Sequence, residues 1–346
     1  MYNWADHNNK RLEEVSGKMG VRTKPNVLWL KENADDTVLR LCDNNLRNGI
    51  PTLSATLNDF ELGIACFAGY PNVGKSSLLN NMITQSLELN HDLDIIDFTF
   101  DDPFSKKYQQ YIASMTGLAY QQITTKTADY DKIKPVVDLA REKLSSWYTN
   151  GRLKTIENAE WVESVVGGSK MVSFRKPENL FNVIRSARDD SPDRKLAIFV
   201  DAWNNVDYSG GAGGSDITKE NYWLAELDAT AKANNAMVIL SNHIRKGASE
   251  NPDFEDMKGS SDMSYLASFI AILRNEKREG RTDALMFSEN GNEYPILRAD
   301  ITRGKNKCSS WDMDLMWKLS SIRCGIKPLD IEEYSTYQSQ LAARKK

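Results

Sequence analysis

The twelve residues from Gly69 to Asn80 read GYPNVGKSSLLN and contain the spacing Gly-x-x-x-x-Gly-Lys-Ser. Each residue type suits a polyphosphate. Gly69 and Gly74 permit a tight turn with close backbone approach, and the helix N-terminus that follows presents free N–H groups. Lys75 supplies an ammonium that reaches the β and γ phosphates, and Ser76 supplies a hydroxyl for Mg²⁺. Together with Pro71, Asn72 and Val73 inside the turn and Ser77 after it, these residues form a predicted nucleoside-triphosphate site. The flanks fit. Ile64 to Ala68 is an apolar run that predicts the buried strand before the turn, and Leu78, Leu79, Met82 and Ile83 give the apolar face of a helix after it.

A second acidic element lies about 125 residues downstream, where Leu196-Ala197-Ile198-Phe199-Val200 ends in Asp201. A carboxylate at the tip of a buried strand can hold Mg²⁺ opposite a phosphate loop, directly or through water. The elements that position both segments alternate. Strands are predicted at Ile64–Ala68, Asp94–Phe100, Leu196–Asp201, Ala236–Ser241 and Phe269–Arg274, with helices at Tyr108–Thr116, Lys134–Tyr148, Pro177–Arg188 and Lys219–Asn234. Pro177 suits a first-turn position. Such alternation predicts an α/β fold with a mostly parallel twisted sheet flanked by helices. Short apolar runs at Ala284–Phe287, Pro295–Ile301 and Trp311–Trp317 predict antiparallel strands added near the C-terminus. Residues 1–48 read as a polar N-terminal arm with an amphipathic linker helix at Asp36–Arg47, and residues 331–346 as a polar tail forming a frayed helix. Ser209–Ser215, SGGAGGS, predicts a mobile loop.

Composition narrows the function classes. The 346 residues are 40% hydrophobic and 27% charged, ordinary for a globular protein, and no apolar run reaches bilayer-spanning length. The N-terminus has no basic start followed by an apolar stretch, which predicts a cytoplasmic protein with no membrane partner. Cys42, Cys66, Cys308 and Cys324 lack metal-ligand spacing and are expected to be reduced. A formal charge of −4 gives no basic field, which still allows DNA to be held by a few loop residues facing the channel of a ring.

The phosphate loop by itself resembles that of Era- and Obg-like GTPases. A GTPase of that class also needs an Asp-x-x-Gly switch and an Asn-Lys-x-Asp base reader. No Asp-x-x-Gly follows a predicted strand, and Asn306-Lys307-Cys308-Ser309 lacks the aspartate. A longer series of segments points elsewhere. Gly49-Ile50-Pro51-Thr52-Leu53, the phosphate loop, Thr99-Phe100-Asp101-Asp102, Val200-Asp201, Ser241-Asn242-His243-Ile244-Arg245 and Asp256-Met257-Lys258-Gly259-Ser260-Ser261 occur in this order. Over roughly residues 36 to 318 the chain is similar to the RecA-like motor domain of DnaB-like replicative ring helicases of superfamily 4, particularly the phage members.

That resemblance implies a RecA-like P-loop NTPase domain over residues 49–330 and assigns roles by position. Asp101 matches the catalytic glutamate and would act as general base, with Asp102 the neighbouring alternative. His243 stands at the γ-phosphate sensor position. Arg303 and Lys305 match a Lys-x-Arg pair that reaches the neighbouring subunit's phosphates, with the two types exchanged, which leaves open which of them is the finger. Lys258, Gly259 and Ser260 match the main DNA loop, and Arg245 and Lys246 add charge nearby. The implied ligands are ATP, Mg²⁺ and single-stranded DNA. The implied assembly is a homo-oligomer, a hexameric ring, with a primase or helicase loader as further partners and the host cytoplasm as location if phage-encoded. Alternatives share the loop. A RecA- or RadA-like recombinase would form filaments, a GTPase would prefer guanine, and an assembly ATPase would bind ATP without DNA-stimulated turnover.

Overall fold

Apolar runs that end in small or acidic residues fold here into strands buried on both faces, and all of the central ones finish along one edge. The computed structural model describes residues 63–125, 130–163, 169–209, 215–245, 252, 254–257, 262–289, 292–304, 315–319 and 326–344. The N-terminal arm, most of the Ser209–Ser215 loop, and Lys246, Lys258, Gly259, Ser260 and Lys305 lie outside the described residues.

The central strands are β1 (Gly63–Gly69), β2 (Leu93–Thr99), β3 (Leu153–Ile156), β6 (Lys195–Asp201), β7 (Ala236–His243) and β8 (Phe269–Arg274). They pair in parallel in the order β8-β1-β7-β6-β2-β3. Between β3 and β6 the chain forms a separate antiparallel hairpin, β4 (Ala159–Glu163) with β5 (Ser169–Ser173). Beyond β8 the sheet continues antiparallel through β10 (Asn292–Gly304), β11 (Leu315–Leu319) and β12 (Ile326–Pro328), and β9 (Met286–Glu289) pairs with the start of β10.

Period-two alternation sends neighbouring side chains to opposite layers. On β1, Ala65 and Phe67 pack with α1 (Lys75–Leu89), α2 (Phe104–Thr116) and α4 (Tyr130–Thr149), whereas Ile64, Cys66 and Ala68 pack with α5 (Pro177–Asp190) and α6 (Asp216–Ala233). Each fully buried Leu, Ile or Phe in these layers contributes roughly 1.5–3 kcal/mol by removal from water. Local signals set the helix ends. Gly117 takes the left-handed conformation that closes α2, Pro177 occupies the first turn of α5 as expected, and the Ser215 side chain accepts from Thr218 N to cap α6. Two short helices, α3 (Tyr120–Thr124) and α7 (Met263–Leu266), complete the α elements before the tail. Among the described residues no helix is long and apolar enough to cross a membrane.

The structure differs from the sequence reading at several borders. The chain between the phosphate loop and Asp201 holds four strands before the Asp201 strand itself, where the apolar runs predict one, because β3 and the β4–β5 hairpin are short and too polar to stand out. Helix α4 starts one turn before Lys134, so Pro135 sits inside it. The antiparallel strand predicted at Trp311–Trp317 is found at Leu315–Leu319, with residues 311–314 outside the described set. The tail is not frayed. It forms α8 (Ile331–Arg344), whose Tyr334, Tyr337 and Leu341 are buried with Leu285, Phe287, Ile296 and Met316 in a third apolar cluster. Arg344 adds ion pairs to Glu276 at 2.8 Å and Asp283 at 3.1 Å, and Lys318 reaches Glu333 at 2.6 Å. Leu341→Ala should therefore lower unfolding free energy by about 2–3 kcal/mol in urea titration. A freely fraying tail would give less than about 0.5 kcal/mol.

Candidate active site

Because β1, β7, β6 and β2 are parallel and in register, their carboxyl ends converge. Gly69 is paired with His243, and Thr99 with Asp201. A cleft of about 1090 Å³ opens over these ends, and Lys75, Ser76, Asp101, Asp201 and His243 all line it. This is where ligands sit in open parallel sheets, since the loops there have no strand to continue into.

The phosphate loop follows β1 without slack. A Cβ built on Gly69 would lie 2.8 Å from Val73 Cγ1 and 3.0 Å from the Leu273 carbonyl oxygen, so only glycine fits. Gly74 has φ +120° and precedes the first residue of α1. No side chain caps that helix end and its first turn carries no acid, which leaves its N–H groups for an anion. Lys75 folds back over the turn. Its Nζ donates to the Gly69 and Tyr70 carbonyl oxygens at 2.9 Å each and lies 3.4 Å from His243 Nδ1. Burial lowers its pKa to about 8, against the upward pull of Asp201 and Asp101.

Asp201 closes the opposite side. Ser241 Oγ, one strand over on β7, donates to Asp201 Oδ1 at 2.6 Å. Burial would raise this carboxyl, but Lys107, the hydrogen bonds from Ser241 and Ser76, and Lys75 outweigh it and hold the pKa below the usual carboxylate range. The peptide bond that follows, Asp201–Ala202, is cis. A carboxylate already bonded to the loop's serine hydroxyl is the donor pair that fits Mg²⁺, a hard cation that takes one or two protein oxygens and completes its shell with phosphates and water. No cluster of three or more His, Cys, Asp or Glu side chains able to hold a metal by themselves is present among the described residues.

Asp101 and Asp102 follow β2 at the cleft rim. Asn205, in the helical turn Trp203–Asn205 after β6, donates through Nδ2 to Asp101 Oδ1. Partial burial and the Asp201 charge raise the Asp101 pKa, with the Asn205 bond opposing. Asp102 is engaged elsewhere. It pairs with Lys106 at 2.5 Å and accepts from Gln110 Nε2 at 2.9 Å, and its carbonyl accepts from Thr99 Oγ1. Of the two acids, Asp101 is therefore the one turned to the site. The remaining predicted residues are more scattered. Arg245 is exposed past the end of β7, where its backbone N donates to the Asp256 carbonyl, and Arg303 lies on β10 opposite Ile270.

Several residues around the site were not singled out from the sequence. Asn205 holds Asp101, Ser241 holds Asp201, and Lys107 and Asp97 lie beneath Asp201. Asp97 could have been noticed as an acid inside an apolar strand, and Lys107 as a lysine one turn from Tyr111 on the inner face of a helix. The cleft continues past the phosphate loop to Arg278, Tyr294 and Leu319, from three separate segments that no local motif connects.

Comparison with known proteins agrees with this geometry. The model of the family described as 50S ribosome-binding GTPase matches residues 64–137, which spans β1, the phosphate loop and the helices that follow. No curated protein matches the sequence. Among solved structures, one described as the ATPase domain of a larger protein superposes with a TM-score of 0.64 at 12% identity, covering 88% of this chain and 96% of that one. A DnaB-like replicative helicase, studied with its interactions with primase, gives 0.65 at 12% identity, covering 89% of this chain and 68% of that one. The chain shares the fold of DnaB-like helicases. The RecA-like P-loop NTPase architecture expected from motif order is thus the architecture found, and the GTPase-type match is confined to the helicase-like sheet's phosphate-loop segment.

Two outcomes are expected. Gly69→Ala should weaken nucleotide binding at least about tenfold in fluorescence titration, because the turn must shift to admit the methyl group. For Lys75 the sign follows from its lowered pKa. Between about 8 and the unfolded value near 10.4 the unfolded chain holds more protons, so this group adds stability to the ligand-free protein as pH rises through that window. A bound phosphate favours the charged lysine, so nucleotide affinity should fall about tenfold between pH 7 and 9, while Lys75→Arg shows no such slope.

Proposed function

We propose that this protein is an ATP-driven DNA helicase motor that hydrolyses ATP at the subunit interfaces of a hexameric ring and translocates on single-stranded DNA. The observation that carries the reading is the convergence of Lys75, Ser76, Asp101, Asp201 and His243 on one cleft of a sheet that shares the DnaB-like fold. In this reading the α1 N-terminus and Lys75 hold the β and γ phosphates, and Lys75 leaves its loop carbonyls to do so. Ser76 and Asp201 hold Mg²⁺, which when bound neutralises phosphate charge.

Asp101 orients the attacking water and takes its proton. Its raised pKa suits a base that must accept a proton near neutrality, and the Asn205 bond fixes the direction of its carboxylate. An aspartate reaches one methylene less far than the glutamate it replaces, and its place on the rim beside the phosphate loop compensates. His243, 3.4 Å from Lys75 Nζ, is placed to sense the change when the γ phosphate leaves. Either Arg303 or Lys305 completes the neighbouring subunit's pocket, and the loop with Lys258, Gly259 and Ser260, together with Arg245 and Lys246, grips DNA phosphates without reading sequence. A primase or loader is the expected further partner, and the cytoplasm, of a host if the protein is phage-encoded, the expected location.

The deciding experiment is ATP hydrolysis by the full chain with and without single-stranded DNA. Turnover should rise with DNA and fall at least about a hundredfold in Lys75→Ala. Unstimulated turnover would favour an assembly ATPase instead. A second reading, a GTPase, is favoured by the family match at residues 64–137. Preferential displacement of a fluorescent nucleotide by GTP over ATP would support it.

A further inference from the structure

Beneath Asp201 lies a cation that nothing in the cleft can touch. Lys107 is fully buried, one turn inside α2, with its Nζ 3.4 Å from Asp97 Oδ2 and 3.7 Å from Asp201 Oδ2. Asp97 is also fully buried and accepts a hydrogen bond from the Tyr111 hydroxyl, while its Oδ1 has no hydrogen-bond partner among the described residues. The Tyr111 ring lies 5.9 Å from the same ammonium. One cation thus serves two carboxylates, one from β2 and one from β6, on the sheet face that α2 covers.

An arrangement of this kind is a poor choice for stability alone. Taking charges out of water costs about as much as their attraction returns, and an apolar trio of similar volume would serve a core equally well. Its position suggests another purpose. Ser241 holds Asp201 Oδ1 from the side, and Lys107 faces Oδ2 from below, so the carboxylate is fixed at both oxygens while its outer edge lines the cleft. The helix that carries Lys107 is itself anchored to the site. Lys106 and Gln110 bind Asp102, and Gln110 Oε1 accepts from Asn80 on α1 at 3.0 Å.

We propose that Lys107 is a positioning residue for Asp201, holding the metal carboxylate from beneath, with Asp97 and Tyr111 holding Lys107 in turn. Groups that orient metal ligands from behind typically change metal affinity by 10–100-fold when removed. The proposal rests on Asp201 serving Mg²⁺, and the test separates the two.

The variant Lys107→Met/Asp97→Asn removes one charge of each sign and keeps an acceptor for Tyr111. Binding of N-methylanthraniloyl-ATP to the full chain is followed while Mg²⁺ is titrated, with urea unfolding as the check on folding. The Mg²⁺ midpoint should rise about tenfold or more, while nucleotide affinity without Mg²⁺ stays within about twofold, a split that general loosening of the core would not give. Asp201→Asn is the reference. A midpoint that moves in Asp201→Asn and stays within about twofold of wild type in the folded double variant overturns the role of Lys107 alone. A midpoint unmoved by Asp201→Asn overturns the metal assignment and this inference with it. If the double variant does not fold, Tyr111→Phe decides, since it deletes only the hydroxyl that pins Asp97. A rise of roughly threefold supports the inference, and none overturns it.

Discussion

An ammonium buried where parallel strands end is the constraint that organises this molecule. Lys75 is almost fully removed from solvent, and the groups that compensate come from four places in the chain: two carbonyls of its own loop, His243 at the end of β7, Asp201 at the end of β6 and Asp101 just past β2. They meet only because β1, β7, β6 and β2 run parallel and in register. A slip of one residue in any pairing would turn the relevant side chain to the opposite layer. The apolar interior of the sheet therefore does two things at once. It stabilises the domain, and it fixes a set of opposite charges at its edge to within hydrogen-bonding tolerance.

The strand between the phosphate loop and the Asp201 strand follows the same logic. β7 separates β1 from β6, and its last residues bond in both directions: Ser241 to the acid on one side, His243 to the lysine on the other. A change at the phosphate end of the cleft is thereby felt along one short stretch of backbone, which continues directly to Ile244 and its bridge with Met257. Such a strand couples two chemical groups through a rigid element rather than a flexible loop.

Much of this was legible in the residues. The phosphate loop announced itself because its chemistry is local: glycines, lysine and serine act through the spacing in which they are written. The central strands were legible because burial on both faces demands continuous apolar runs. Legibility failed where the determinant is distance in the sequence. Asn205 meets Asp101 across 104 residues, and Arg278, Tyr294 and Leu319 share a cleft only because the antiparallel strands fold beside the loop. Lys107 was hidden for another reason. A lysine on a helix is expected to reach water, and only the two acids placed opposite it by β2 and β6 explain why this one does not. The C-terminal helix was misjudged because its buried residues are mostly tyrosines, which a polar tail also tolerates.

That helix has a mechanical consequence. Through Arg344 it grasps Glu276 and Asp283, two acids on the stretch of chain that also carries Lys277 and Arg278 to the cleft wall. Glu276 in turn pairs with Arg298 on β10, so the final turn of α8, the longest strand and the wall share one ionic knot. Pulling on the end of the chain would be transmitted to the far wall of the cleft before any strand of the sheet had to move.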